Sequence, residues 1–276
     1  MDKAIARSKK EILLKGLGEV DSLLVAFSGG VDSAFLLAAA RDALGEKVVA
    51  ATAVSPIHPR REQDEAVRFV EKRGIDHILF QTNEIEIPEF MANGIDRCYH
   101  CKRALSRRLL QIAEGRAIER VAHGANVDDQ NDYRPGLRAA QEAGIVAPLM
   151  DAGLGKEEIR FLAKEMRLKQ WDKPAMACLA SRFPYERPIT EKGLRMVEAA
   201  EEFLSDRGYR RVRVRHHGAL ARIEVDRFDL ERIMRQETRK LVIEAFRQIG
   251  FAHIALDLEG YISGKMNRDI DTPTQR

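Results

Sequence analysis

No stretch of this 276-residue chain approaches the roughly 18 consecutive apolar residues that cross a bilayer, so no membrane partner is expected. The first ten residues, MDKAIARSKK, hold no apolar h-region and do not read as a secretory signal. Cysteine is scarce. Three residues, an odd number, argue against a disulfide framework and leave thiols for chemistry or metal in a reducing compartment, so the expected location is cytoplasmic. Charge of one sign is missing too: a formal net charge of +3 lacks the basic footprint of a dedicated nucleic-acid binder. Neither an internal repeat nor a low-complexity tract occurs. Gly155-Lys156 is followed by Glu157, which excludes a Walker A loop, and no Gly-x-Gly-x-x-Gly follows a strand.

What remains is a chain with 45% hydrophobic residues, enough for a sizeable core, and 32% charged residues, above the ~25% usual in globular proteins. Leu23 to Phe27 is a short continuous apolar run, as expected of a strand buried on both faces of a parallel sheet. Further strands are expected at Lys47–Val54, His77–Gln81, Arg120–His123 and Val146–Met150. Helices are expected over Ile5–Leu17, Ala34–Ala40, Arg61–Arg73, Cys101–Glu114 and Lys156–Met166. This alternation predicts an α/β fold with a doubly wound parallel sheet over residues 1–187, binding ligands at the C-terminal ends of its strands. Residues 168–188 show no period and read as a long ordered loop. A helix at Glu191–Asp206, two strands around Gly218, a helix at Phe228–Arg247 and a strand at Ala252–Leu258 predict a smaller α+β domain over 188–267. Residues 268–276 form a polar tail.

The sharpest local signal is Ser28-Gly29-Gly30-Val31-Asp32-Ser33 between the first strand and its helix. A triphosphate needs backbone N–H groups converging on its oxygens, and two glycines permit that close approach. The helix that follows adds a partial positive charge. Ser28 and Ser33 supply hydroxyl donors, and Asp32 is placed to hold Mg²⁺. A strand-to-helix turn that uses glycine only for packing would not need this full set. Past the fourth strand, Gly124-Ala125-Asn126-Val127-Asp128-Asp129 and Asp132-Tyr133-Arg134 bring carboxylates to the binding edge, where Asp129 is a second candidate for Mg²⁺. The bland reading of that segment is a hydrophilic turn.

Ser28 to Ser33 matches the signature of the PP-loop ATP pyrophosphatases, and the chain resembles that superfamily. The resemblance implies an adenine nucleotide α-hydrolase-like sheet, ATP bound along Ser28–Ser33 and Gly124, and cleavage that releases pyrophosphate and leaves an adenylylated substrate. Lys156, ahead of Glu157-Glu158-Ile159-Arg160, is similar to the element with which several members grip the departing pyrophosphate. By itself it reads equally well as a solvated lysine. Three segments narrow the likeness, namely Gly124 to Asp129 with Asp132 to Gly136, Trp171 to Tyr185, and Val212-Arg213-Val214-Arg215-His216-His217-Gly218 followed by Ala221 to Val225, and the C-terminal Asp257-Leu258-Glu259-Gly260-Tyr261 joins them. Together they resemble the LarE-type sulfur transferases along nearly the whole chain. That family is implied to adenylylate pyridinium-3,5-dicarboxylate mononucleotide, a small nucleotide substrate, and to replace carboxylate oxygen with sulfur on the way to nickel-pincer nucleotide. Homo-oligomers are implied as well, with the small domain binding substrate or joining subunits.

The chemistry suits such residues. A carboxylate is a poor electrophile, whereas an acyl-adenylate has AMP as leaving group and yields to a soft sulfur nucleophile. Arg213 and Arg215 alternate with valines and so share one strand face, where with Arg182 they are candidates for the substrate's phosphate or second carboxylate. The bland reading is a charged edge strand. Cys178 matches the family's sulfur-transfer cysteine, which in single-cysteine members gives up its own sulfur. Cys98-Tyr99-His100-Cys101 sets a CxxC just before a helix, open to a redox pair, half a zinc site or an iron–sulfur site. The three-cysteine form of the family implies a 4Fe–4S cluster on Cys98, Cys101 and Cys178; sacrifice of Cys178 ranks second and zinc third. A PP-loop tRNA thiolase is the runner-up function, and it would want an RNA-binding module. A GMP- or NAD-synthetase-like amination lacks its glutaminase domain here, and an ATP-binding regulator would not need Asp32, Lys156 and three cysteines together.

Overall fold

The computed structural model describes residues 1–131, 135–174, 177–262, 264, 265 and 268. They divide into two units, 1–83 with 98–176 and 84–97 with 177–276. The boundary expected between 187 and 188 thus falls between 176 and 177, and a short excursion at 84–97 joins the second unit. Asn93 explains that excursion: its side-chain amide donates to the carbonyls of Pro184 and Arg187 at 2.7 and 2.8 Å.

In the first unit, helix α1 (Lys3–Gly18) is capped by Asp2, which accepts from Ala4 N at 2.8 Å. Strand β1 (Leu23–Ala26) leads into α2 (Val31–Leu44), then β2 (Val48–Val54), α3 (Arg60–Lys72) and β3 (Asp76–Gln81). The excursion holds α4 (Pro88–Met91); then come α5 (Arg97–Gly115), β4 (Arg120–His123), α6 (Pro135–Glu142), α7 (Pro148–Asp151) and α8 (Lys156–Glu165). The sheet is parallel throughout with order β3-β2-β1-β4. Leu23 and Val25 of β1 face one apolar cluster with α1, α2 and α8, while Leu24 faces another with α5 and α6. Both faces of the strand are therefore covered, which is why its sequence is continuously apolar. Ala34 to Ala40 of α2 are fully buried, matching a helix that is apolar all round.

Two expectations for this unit are corrected. Residues 146–150 do not form a strand. Val146 makes an isolated bridge to Ala122, and Pro148, which has no N–H for a ladder, opens α7 instead. The CxxC does not precede a helix. It occupies the first turn and a half of α5, because the helix starts at the buried Arg97, which bonds Asn93.

In the second unit, 3₁₀ turns at Leu179–Arg182 and Arg227–Asp229 join α9 (Glu191–Asp206), the antiparallel strands β5 (Val212–His217) and β6 (Leu220–Val225), α10 (Leu230–Met234), α11 (Gln236–Ile249) and β7 (His253–Leu256), parallel to β6. The single helix expected over Phe228–Arg247 is broken at Arg235, whose ψ is 141°. Periodicity gives the reason. Ile233 and Val242 are nine residues apart, about 180° around a continuous helix, yet both belong to the same core with Phe246 and Phe251. Only a break lets both reach it.

Candidate active site

The sheet order reverses direction between β1 and β4, and the crevice beyond their C-terminal ends is where a doubly wound sheet binds its ligand. After β1 the chain enters the phosphate loop. Gly29 has φ +76°, and a Cβ there would lie 3.3 Å from Ala66 Cβ, so both its dihedral and its space demand glycine. Gly30 is the N-cap of α2 in extended conformation, and the first turn of α2 presents N–H groups that the helix ladder does not use. Ser33 Oγ ties the loop together: it accepts from Ser28 N at 3.3 Å, lies 3.1 Å from Ser28 Oγ and donates to the Gly30 carbonyl at 3.2 Å. Asp32 stands in the first turn of α2.

Across the crevice, β4 runs into Gly124. A Cβ on Gly124 would stand 2.8 Å from Ser33 N and 3.1 Å from Asp32 C, so this glycine lets the end of β4 touch the start of α2. Asn126, fully buried, receives the N–H of Asp128 on its side-chain oxygen at 3.0 Å. Asp129 accepts from Asn126 N at 3.2 Å, and its other oxygen meets Lys156 Nζ at 3.2 Å. Asp128 takes the N–H of Lys156 at 2.6 Å, and Glu158 folds back to Gly155 N at 2.9 Å; two acids thus cap the positive end of α8. The fold therefore joins three predicted residues, Gly124, Asp129 and Lys156, with the loop Ser28–Ser33 within one unit. Asp132, Tyr133 and Arg134 lie outside the described residues. His123, at the end of β4, is lowered to about 4 by burial and by the Lys102 cation, against a smaller pull from Asp129, and is neutral at pH 7.

In the second unit, Cys178 heads the 3₁₀ turn Leu179–Arg182. Arg182, only 2% exposed, donates to the carbonyls of Ala177 and Cys178 at 2.8 and 3.0 Å and to Ser181 Oγ at 2.8 Å. The rest of its fork grips Glu201 at 2.8 and 2.7 Å. Burial alone would raise Glu201, but the charge and hydrogen bonds of Arg182, with Arg213 and the Val214 N–H, hold it below the usual carboxylate range. Arg215 forks onto Glu224 at 3.0 and 2.7 Å and donates to the Ser181 carbonyl at 2.8 Å. Two arginines expected to meet substrate thus donate hydrogen bonds to the turn that carries Cys178. Arg213, on the same strand, bonds the Val212 carbonyl at 2.8 Å and lies 5.2 Å from the Tyr261 ring; burial and the nearby Arg182 lower its pKa.

Cys98 is exposed and Cys101 half-buried, one helical turn apart on α5. They belong to the first unit and Cys178 to the second, and among the described residues no group of three metal-binding side chains is formed. Sequence reasoning missed Glu201, Glu224 and Lys173. The last of these donates to the Gly29 carbonyl at 3.3 Å and to Glu65 at 2.8 Å. A lysine two residues after the chain's single tryptophan carried no local signal for that role.

A glycine-built phosphate loop at the β1/β4 crevice, with an aspartate beyond β4 paired to a lysine at a helix start, defines an ATP-using enzyme of the PP-loop class. No family model matches the chain. It is 42% identical over 261 residues to an uncharacterised protein of Synechocystis sp., covering 95% of this chain and 97% of that one. It is 35% identical over 265 residues to the pyridinium-3,5-bisthiocarboxylic acid mononucleotide synthase of Lactiplantibacillus plantarum, covering 96% and 95% respectively. A weaker likeness, 30% over 156 residues, covers 51% of this chain and 39% of the argininosuccinate synthase of Methanocaldococcus jannaschii. The chain belongs to the LarE-type ATP-dependent sulfur transferases of the PP-loop superfamily. No helix of the described residues is long and apolar enough to cross a membrane.

Proposed function

We propose that the chain adenylylates a carboxylate of pyridinium-3,5-dicarboxylate mononucleotide and converts it to a thiocarboxylate, in the synthesis of nickel-pincer nucleotide. The observation that carries this reading is the likeness, over nearly the full length of both chains, to a synthase of the bisthiocarboxylic mononucleotide. The substrate carboxylate attacks the α-phosphorus of ATP, and pyrophosphate leaves toward the N–H groups of the loop and Lys156. Asp32 and Asp129 are the residues for Mg²⁺, whose charge offsets that of the phosphates. Lys156 meets Asp129 at 3.2 Å, which holds its ammonium beside the carboxylate that would share in binding the metal and leaves it to meet the departing phosphates. A sulfur nucleophile then displaces AMP. Arg213 is the arginine proposed to face the substrate's phosphate, while Arg182 and Arg215 act through the Cys178 turn.

For the sulfur source, Cys98, Cys101 and Cys178 are the proposed ligands of a 4Fe–4S cluster. The donor set fits in type: Cys98 and Cys101 stand at i and i+3 on one helix, and thiolates are soft ligands suited to iron. Held by those three thiolates, a cluster would supply sulfide-level sulfur for the transfer. The second reading, in which Cys178 attacks the adenylate and surrenders its own sulfur, is favoured by the clamp on its carbonyl from Arg182. The enzyme is further read as a cytoplasmic homo-oligomer. Anaerobic purification with iron and sulfide analysis, followed by mass spectrometry after turnover, tests both. About four irons per chain, lost in C98A, C101A or C178A, supports the cluster. Iron-free protein lighter by about one H₂S at Cys178 supports sacrifice. Turnover with neither overturns both readings.

A further inference from the structure

We propose that Lys173 is the positioning residue of the phosphate loop, holding the Gly29–Gly30 peptide so that the Gly30 N–H faces the leaving pyrophosphate. The inference rests on the ATP-binding role of that loop and concerns a residue that the motif does not contain. Two successive glycines give the loop its close approach, but they also make the peptide between them its least restrained plane. In a trans peptide the C=O of one residue and the N–H of the next point in opposite directions. A hydrogen bond that fixes the Gly29 carbonyl on one side of the loop therefore fixes the Gly30 N–H on the other. Lys173 Nζ makes that bond at 3.3 Å. On the other side, the Gly30 N–H has only a long 3.5 Å approach to Ser28 Oγ, which a phosphate oxygen can replace.

The lysine is itself held by a chain of contacts. Its ammonium is paired with Glu65 at 2.8 Å, and its side chain is only 17% exposed, so this is not a free surface charge. Its backbone is fixed from α8: Arg160 donates to the carbonyls of Trp171 and Lys173, each at 2.8 Å. Lys164 lies 4.4 Å from the Trp171 ring and secures the same stretch. Helix α8 therefore contributes twice. Its first residue, Lys156, pairs with Asp129 beyond β4, and Arg160, one turn on, holds the strap that carries Lys173 to the loop. The arginine that closes the Lys156 to Arg160 element thus has a physical role: it connects the residue gripping pyrophosphate to the one orienting the loop beneath it.

Equilibrium binding by calorimetry distinguishes orientation of the loop from general support of the fold. With the whole chain and Mg²⁺, K173M is expected to weaken a non-hydrolysable ATP analogue by about tenfold or more while leaving AMP within about twofold. K173R, which keeps charge and donor, is expected to recover most of that loss. Where K173M does not fold, R160K reads the same effect from the other end of the strap, with a selective loss of about threefold for the triphosphate. Equal losses for ATP analogue and AMP, or no loss in either, overturn the proposal. A wild-type chain that binds neither nucleotide overturns the ATP reading of the loop, and this proposal with it.

Discussion

Arg182 donates a hydrogen bond to the carbonyl of Cys178 at 3.0 Å while its other arm forks onto Glu201. The sulfur-bearing residue is thus anchored from four positions downstream by a buried ion pair. A cysteine on a loosely held loop would sample many orientations, and transfer to an adenylate needs a defined line of attack. R182M would leave the Glu201 carboxylate buried without its main partner. We expect a loss of about 3–5 kcal/mol in the stability of the second unit, measured by chemical denaturation. Pyrophosphate release should fall less than sulfur transfer, because the phosphate loop lies in the other unit.

Lys156 should separate nucleotide binding from nucleotide cleavage. K156M removes a cation proposed to meet the leaving group, and we expect turnover to fall by about 10²-fold. AMP binding should be unchanged, since AMP carries no pyrophosphate. A pyrophosphate-release assay alongside AMP calorimetry reads both, and equal losses would place Lys156 among the adenosine contacts instead.

Gly124 gives a steric prediction. With Ser33 N only 2.8 Å from where a Cβ would stand, G124A must push β4 away from the start of α2. We expect a cost of about 1–3 kcal/mol in thermal or denaturant unfolding and a large loss of ATP affinity. G153A is the control. Gly153, by contrast, meets only the end of the Lys9 side chain, at 3.8 Å, so its cost comes from φ +69° alone and should leave ATP affinity intact.

His123 sets a pH dependence of stability. Its folded-state pKa is lowered from 6.5 to about 4, so the folded chain keeps it neutral where the unfolded chain takes up a proton. Its contribution is intact above pH 6.5 and is lost as pH falls toward 4, amounting to about 3 kcal/mol across that window. H123Q should flatten the fall in unfolding free energy between pH 7 and pH 4.5 relative to wild type. Parallel pH profiles for the two proteins would show that another group governs the fall.

Some of this site was legible because it is local. Ser28 to Ser33 follows a buried strand and opens a helix, and the demands of phosphate on the backbone leave few residue types for those positions. Helix α9 was readable to the residue, since Thr190 caps it and the apolar period of 3.6 runs its whole length. Where local rules compete, reading failed. Pro148 turned a β-like run into a helix start, and the need to bury both Ile233 and Val242 broke a helix that the pattern joined.

Only the tertiary structure decided the fate of the charges. Arg213 and Arg215 are equivalent in sequence, two residues apart on one strand face. Yet Arg215 is drawn inward by Glu224, which is fully buried on the neighbouring strand, and Arg213 is left beside Tyr261. Lys173 and Gly29 are separated by 144 positions, and nothing in either neighbourhood announces their meeting. A motif is written in consecutive residues because backbone geometry is short-ranged. An ion pair depends on which elements the fold brings together, so a charged residue shows its chemistry in the sequence and its role only in the folded chain.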